Sequence, residues 1–375
     1  MQALSQCFVS SYIGSIKHKE ETKMANNTGY IPHLHAFRGF AIINIVAAHC
    51  WSFMIFWTGN LSSEAITWLF WLTETLFHGS TLYFAILSGL LYSKVLHRMP
   101  WKRFYQNKVN YVLLPYIAVT LTFTAVYWQF FLQQPAVEDS FSGYVEVASK
   151  NLITGNAGIH FWYIPVLIAM FLATPLLNLL QRNTKYGIWL LALIPLLVSR
   201  SPFPDFLKPQ SFVFFIGAYA LGMAIGANYE RVQLWLGNQL KLLSAVAFIA
   251  SIGVLLTYVL DYQQQGMFSL RQSLIYVQKT TICLLVLHWF ARKENILPNW
   301  LSTLGTFAFA IFFLHVVFID FVIQTVRETL VESRTVELIG LFGSLNLLAG
   351  VLGSVFIAAV MRWLLKKHSR HVLGV

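Results

Sequence analysis

The chain has 375 residues, of which 57% are hydrophobic and only 11% are Asp, Glu, Lys or Arg, and its formal charge is +11. A soluble domain carries about 25% charged residues, so this composition excludes a water-covered globule and makes bilayer crossings the unit of counting. The bases sit in short segments between apolar runs rather than in aromatic-interleaved patches, which argues against nucleic acid and fits loops held beside anionic membrane lipids.

Residues 1–30 contain Lys17, Lys19, Glu20, Glu21 and Lys23 and no long apolar core. They read as a short cytoplasmic tail, not as a cleaved signal peptide. Residues 31–366 read as a single all-α, polytopic membrane domain, and residues 367–375 as a cytoplasmic C-terminal tail. About 20 apolar residues cross hydrocarbon as a helix, and ten such runs follow one another. They are Ala36–Trp57, Thr67–Tyr92, Val109–Leu132, Ile159–Leu180, Tyr186–Val198, Ser211–Ala227, Leu242–Leu260, Gln272–Phe290, Leu301–Ile323 and Leu338–Leu365. The fifth is short and the last long.

With both termini in the cytoplasm, the outer loops hold six bases: Lys150, Arg200, Lys208, Arg271, Arg327 and Arg334. Arg38 and Lys279 fall in spans, and the other 18 of the 26 Lys and Arg residues lie on the inner side. Bases stay where translocation begins, and a missed span would invert every later loop and spoil the bias. Between spans, the outer loop Gln133–Gly158 holds Glu138, Asp139 and Glu146, and Ser199–Gln210 carries Pro202, Pro204 and Pro209, which rule out a continuous helix there. The chain shows no internal repeat of the kind that marks inverted-repeat transporters. Cys7, Cys50 and Cys283 offer neither a disulfide framework nor zinc spacing, and no metal is expected.

An ionisable side chain at bilayer depth costs at least a few kcal/mol and calls for a partner or a function. Arg38 opens the first span and His49 lies near its middle. Eleven residues make about three helical turns, so both point to one side, about 16 Å apart along the axis. One long ligand could meet both. The competing reading is a snorkelling arginine and a hydrogen-bonded packing histidine. Glu74 and His78, four apart, form an i,i+4 pair that reads as structural. His288 also reads as structural, Asp320 as a hydrated group, and His315 as deeper than either needs. His160, Trp162 and Tyr163 open the fourth span and read as an aromatic belt or as a stacking surface for a sugar ring.

Leu34–His49, LHAFRGFAIINIVAAH, resembles the first-span signature of the acyltransferase-3 family of membrane O-acyltransferases: an Arg-Gly pair with a histidine eleven positions after the arginine. Four further stretches are similar to family elements and stand in the family's order. They are Tyr83–Gly89 (YFAILSG), Phe104–Tyr116 (FYQNKVNYVLLPY), Phe161–Leu177 (FWYIPVLIAMFLATPLL) and Ala308–His315 (AFAIFFLH).

The resemblance implies an enzyme that moves an acyl group, most simply acetyl, from cytoplasmic acyl-CoA to a hydroxyl of a glycan or lipid-linked sugar in a bacterial inner membrane. It places the essential arginine and histidine on Arg38 and His49, the latter as general base or transient acyl carrier. Arg38, Lys102, Arg103 and Lys108 would hold the donor, and His160, Trp162, Tyr163 and His315 would meet the acceptor. The chain departs from the family at two places. Asn107 and Tyr111 stand where arginines are common, leaving Lys108, and Ser80, Thr81 and Leu82 stand where an acid is common. The rival reading from another class is a transporter or exporter of polysaccharide or small solutes, supported by the ten spans and the buried His and Arg residues.

Overall fold

A computed structural model describes residues 31–375 apart from 135, 136, 203, 263 and 265. His33–Val375 forms one compact unit. The predicted N-terminal tail, residues 1–30, lies outside the described residues.

The described chain is helical throughout its membrane domain, as the apolar runs require: with no water in hydrocarbon, backbone groups must pair within their own segment. We number the helices α1 (Pro32–Thr58), α2 (Glu64–Phe77), α3 (Thr81–Leu91), α4 (Trp101–Lys108), α5 (Leu114–Val126), α6 (Phe141–Thr154) and α7 (Tyr163–Asn183). There follow α8 (Gly187–Ala192), α9 (Pro209–Ala227), α10 (Tyr229–Val259), α11 (Leu270–Arg292), α12 (Asn299–Thr306), α13 (Ala308–Glu332) and α14 (Val336–Leu365). Among the described residues nine helical stretches are long and apolar enough to cross a membrane.

The tenth predicted crossing is the short one. Only Gly187–Leu196 is helical there, about 15 Å at 1.5 Å per residue and half the hydrocarbon thickness. Side chains of α11 take up carbonyls that this short helix leaves free. The Tyr276 hydroxyl donates to the Ala192 carbonyl (2.7 Å) and the Ser273 hydroxyl to that of Leu196 (2.8 Å). Gly305 in α12 packs against the His35 carbonyl near the start of α1, while Gly374 sits against Phe309 and Tyr111. The predicted C-terminal tail is thus folded onto the domain, with Leu373 and Val375 buried.

Two other departures shape the site. The second predicted span, Thr67–Tyr92, is broken at His78–Ser80. Gly79 there has φ +76°, and a Cβ on it would stand 2.5 Å from Ile275, so the break needs a residue without a side chain. Carbonyls left free at the end of α2 are met by α11. Gln278 Nε2 donates to Thr75 O (2.9 Å) and Lys279 Nζ to Leu76 O (2.6 Å). The second departure is α6, inside a stretch read as a loop. Ser140 caps its N-terminus through the Gly143 amide (3.0 Å), and Gly155, at φ +68°, ends it. Asn151 and Thr124 join α6 to α5 (3.1 Å).

Candidate functional site

His49 lies half-buried on the third turn beyond Arg38, in a helix that runs unbroken through both residues. Its ring faces that of His315 at 5.4 Å and that of His160 at 6.5 Å, and the latter two are 4.7 Å apart. Three imidazoles from α1, α13 and the segment before α7 thus meet in one place. His315 Nδ1 lies 2.9 Å from the carbonyls of Ile311 and Phe312. Carbonyls only accept, so Nδ1 carries the proton and Nε2 keeps a lone pair. That Nε2 is buried and has no hydrogen-bond partner among the described residues. His160 pairs through Nε2 with the Phe313 carbonyl (3.3 Å), which leaves Nδ1 unpartnered. His160 lies outside the spanning helices. Burial, with His315 and His49 adding to it, pushes its pKa well below the ordinary imidazole value.

The rings of His49 and His160 border a chamber of about 250 Å³, lined also by Ser52, Glu74, His78, Trp162 and Arg200. The polar residues of its far wall form one connected chain. Ser52, three residues past His49 on α1, donates to Glu74 Oε1 (2.8 Å). Glu74 Oε2 meets His78 Nδ1 at 2.7 Å, and Arg200 donates to His78 Nε2. Because a guanidinium only donates, the tautomer of His78 is fixed: Nε2 accepts and Nδ1–H points to Glu74. The Glu74 and Arg200 charges therefore balance through a bridging imidazole. Burial lowers the Arg200 pKa and the Glu74 carboxylate opposes that shift. The same guanidinium lies 5.6 Å over the Trp162 ring and 5.8 Å over that of Phe206. Trp162 and Phe206 stack at 4.7 Å. Together with Ile159 they also line a second, larger cavity of about 1090 Å³, so these three side chains form the partition between the two spaces. Asn151, Asn156, Asp320 and Gln324 add polar groups to the larger one.

Arg38 stands near the other end of α1, half-buried, with neither a carboxylate partner nor a hydrogen bond among the described residues. Gly39 next to it is where α12 crosses. A Cβ there would come 2.0 Å from the Leu301 carbonyl oxygen, so the Arg-Gly pair places a cation beside a backbone-to-backbone contact. Lys108 is close enough to Arg38 for their charges to repel, and its Nζ lies 4.0 Å over the Phe171 ring. Nearby, His33 ties α1 to α10 and to the turn after α11 through Tyr229 (2.6 Å) and Glu294.

The remaining predicted site residues divide. Lys102 and Arg103 are exposed, and on a helix they point roughly 120–140° away from Lys108. Trp162 and His160 line the chamber, whereas Tyr163 faces away into a small apolar pocket with Phe84 and Phe309. His288 pairs with Gln233 (3.0 Å) in the packing of α11 on α10. Sequence reasoning assigns no role at the site to Ser52, Arg200, Gln278 or Lys279, and it reads the Glu74–His78 pair as structural. The one signal for Arg200 is its neighbourhood, a basic residue directly before a cluster of prolines. Among the described residues no group of His, Cys, Asp or Glu could hold a metal ion.

A family model described as an acyltransferase domain matches residues 31–363, almost the whole described chain. No curated protein and no solved structure matches.

Proposed function

We propose that this chain, which belongs to the acyltransferase-3 family and is an integral-membrane acyltransferase, moves an acetyl group from acetyl-CoA to a hydroxyl of a glycan or lipid-linked sugar. The observation that carries the reading is the meeting of His49 with a chamber next to a larger, polar-lined cavity. An enzyme joining two unlike substrates needs a basic group reachable by both.

In this reading the acceptor comes through the larger cavity and past Trp162, whose indole face suits a sugar ring. The donor's phosphates meet Arg38 and Lys108, a pair of cations with no carboxylate to neutralise them. The span from Arg38 to His49, about 16 Å along the helix axis, is covered by the flexible arm that carries the thioester. His49 takes the proton of the acceptor hydroxyl as its oxygen attacks the thioester carbonyl carbon. The carbon–sulfur bond breaks, the ester forms, and the leaving thiolate takes the proton from the imidazolium. His315 supports His49 by stacking and brings a second lone pair to the same place.

The orientation follows the bases, with the Arg38 end in the cytoplasm and the larger cavity facing the outer side of a bacterial inner membrane. The test is transfer of labelled acetyl from acetyl-CoA to membrane glycan by the purified protein. His49→Ala, present at wild-type level, should cut labelled product by at least about a hundredfold. Unchanged labelling in that variant would sink the assignment.

A further inference from the structure

On the reading above, the chamber also carries information about which hydroxyl is acylated. The proton of Ser52 is committed to Glu74. Both carboxylate oxygens of Glu74 already accept, one from Ser52 and the other from His78 and from the Tyr258 hydroxyl (3.4 Å). What the Ser52–Glu74 pair still offers to the chamber is lone pairs on Ser52 Oγ and Glu74. The pair cannot relax toward donating, because Arg200 blocks the other nitrogen of His78 and so holds its proton on Glu74. His49 faces the same space with no hydrogen bond among the described residues. Ser52 lies three residues beyond it, one helical step of about 4.5 Å and some 60° around the axis. The chamber thus has a base that takes a proton and, one turn away, a Ser52–Glu74 pair that can only accept. A buried lone pair left without a donor costs free energy, so this pair favours a ligand that brings a second hydroxyl.

We propose that the preferred acceptor is a vicinal diol: one hydroxyl is acylated at His49 while its neighbour donates to Ser52 and Glu74, which act as positioning residues that choose the position acylated. The second hydroxyl keeps its proton, so it adds nothing to the bond balance of the transfer. Its role is to hold the reacting oxygen over His49. The partition of Trp162 and Phe206 favours the same class. A sugar ring in the larger cavity beside this partition could project two adjacent hydroxyls into a space too small for the rest of a glycan.

The experiment measures release of the CoA thiol by the full-length protein in nanodiscs, with acetyl-CoA as donor and 1,2-propanediol or 1-propanol as the acceptor probe. Wild type should use the diol at least about tenfold better in kcat/KM, the scale of a lost hydrogen bond to a charge-backed acceptor. Ser52→Ala, a small change on a long helix, and Glu74→Gln should each bring the ratio near one, mainly by slowing the diol. A merely structural loss would slow both alcohols equally and leave the ratio intact.

A wild-type ratio near one, a ratio retained in Ser52→Ala, or no His49-dependent transfer to either alcohol would each overturn the proposal. These results remain distinct from failure of the function itself. Labelling of membrane glycan that depends on His49, together with indifference to the second hydroxyl, would keep the transferase and remove the diol.

Discussion

Two arginines are held inside this bundle in opposite ways. Arg200 lies against the chamber with its charge answered by Glu74 through His78 and its guanidinium over the rings of Trp162 and Phe206. Arg38, near the other end of α1, has no carboxylate near it and a lysine for company. A charge whose partners are all supplied by the protein is part of the scaffold, whereas one left unanswered is available to a ligand. The two regions therefore predict different failures: loss of folded protein at the first, loss of donor binding at the second.

The His49 ring stands between them and sets the scale. Its removal should cost about 10²- to 10⁴-fold in kcat, the usual worth of a general base, with thermal stability in detergent unchanged. A fall in stability to match would place His49 with the scaffold. Arg200→Ala should come next, destabilising the fold by about 3–5 kcal/mol because it strands the Glu74 charge in a buried site. Unfolding midpoints would show it, and pairing the change with Glu74→Gln should recover part of the loss. An additive double variant would mean that the two charges do not answer one another.

Arg38→Ala should raise the Kd for acetyl-CoA by about ten- to a hundredfold, the worth of about 1.5–3 kcal/mol for a hydrogen bond to a charged group. The melting temperature should stay in place, and equal affinity in variant and wild type would end the donor assignment. The smallest effect belongs to Lys102 and Arg103. Exposed and turned from Lys108, they should change donor affinity by no more than about twofold at physiological salt. A larger effect in a titration of the double alanine variant would extend the donor site along α4.

The same contrast explains what the sequence could reveal. Arg38 and His49 were legible because each is an ionisable residue inside an apolar run, where cost singles it out. The nine membrane-length helices among the described residues are legible for a related reason, since apolar length is a property of segments. Arg200 was hidden because a base in a loop costs nothing until folding buries it. Glu74 and His78 were seen as a pair, but their depth depends on the break at Gly79, which a hydropathy window averages away. Gln278 and Lys279 fell inside an apolar run with no local partner, because their partners are carbonyls on another helix. Adjacency groups Tyr163 with His160 and Trp162, yet consecutive residues face different ways around a helix start. Helix α6 could have been found from its Ser140 cap and Gly155 stop, but its surroundings are polar enough to read as loop.

The broken span also imposes an order of manufacture. Leu76 and the lysine that satisfies its carbonyl are 203 residues apart in the chain. Ribosomes add about 5–20 residues per second, so α2 waits on the order of 10–40 s for Lys279 to exist. Throughout that interval its open end must be sheltered by the insertion machinery, by water or by lipid headgroups. A truncation that stops short of α11 would leave the shelter's replacement unwritten, and quality control would meet a half-helix with its backbone bare. The chamber is thus among the last parts of the molecule to become real, and acyl transfer cannot precede the arrival of a helix that contributes nothing to the chemistry.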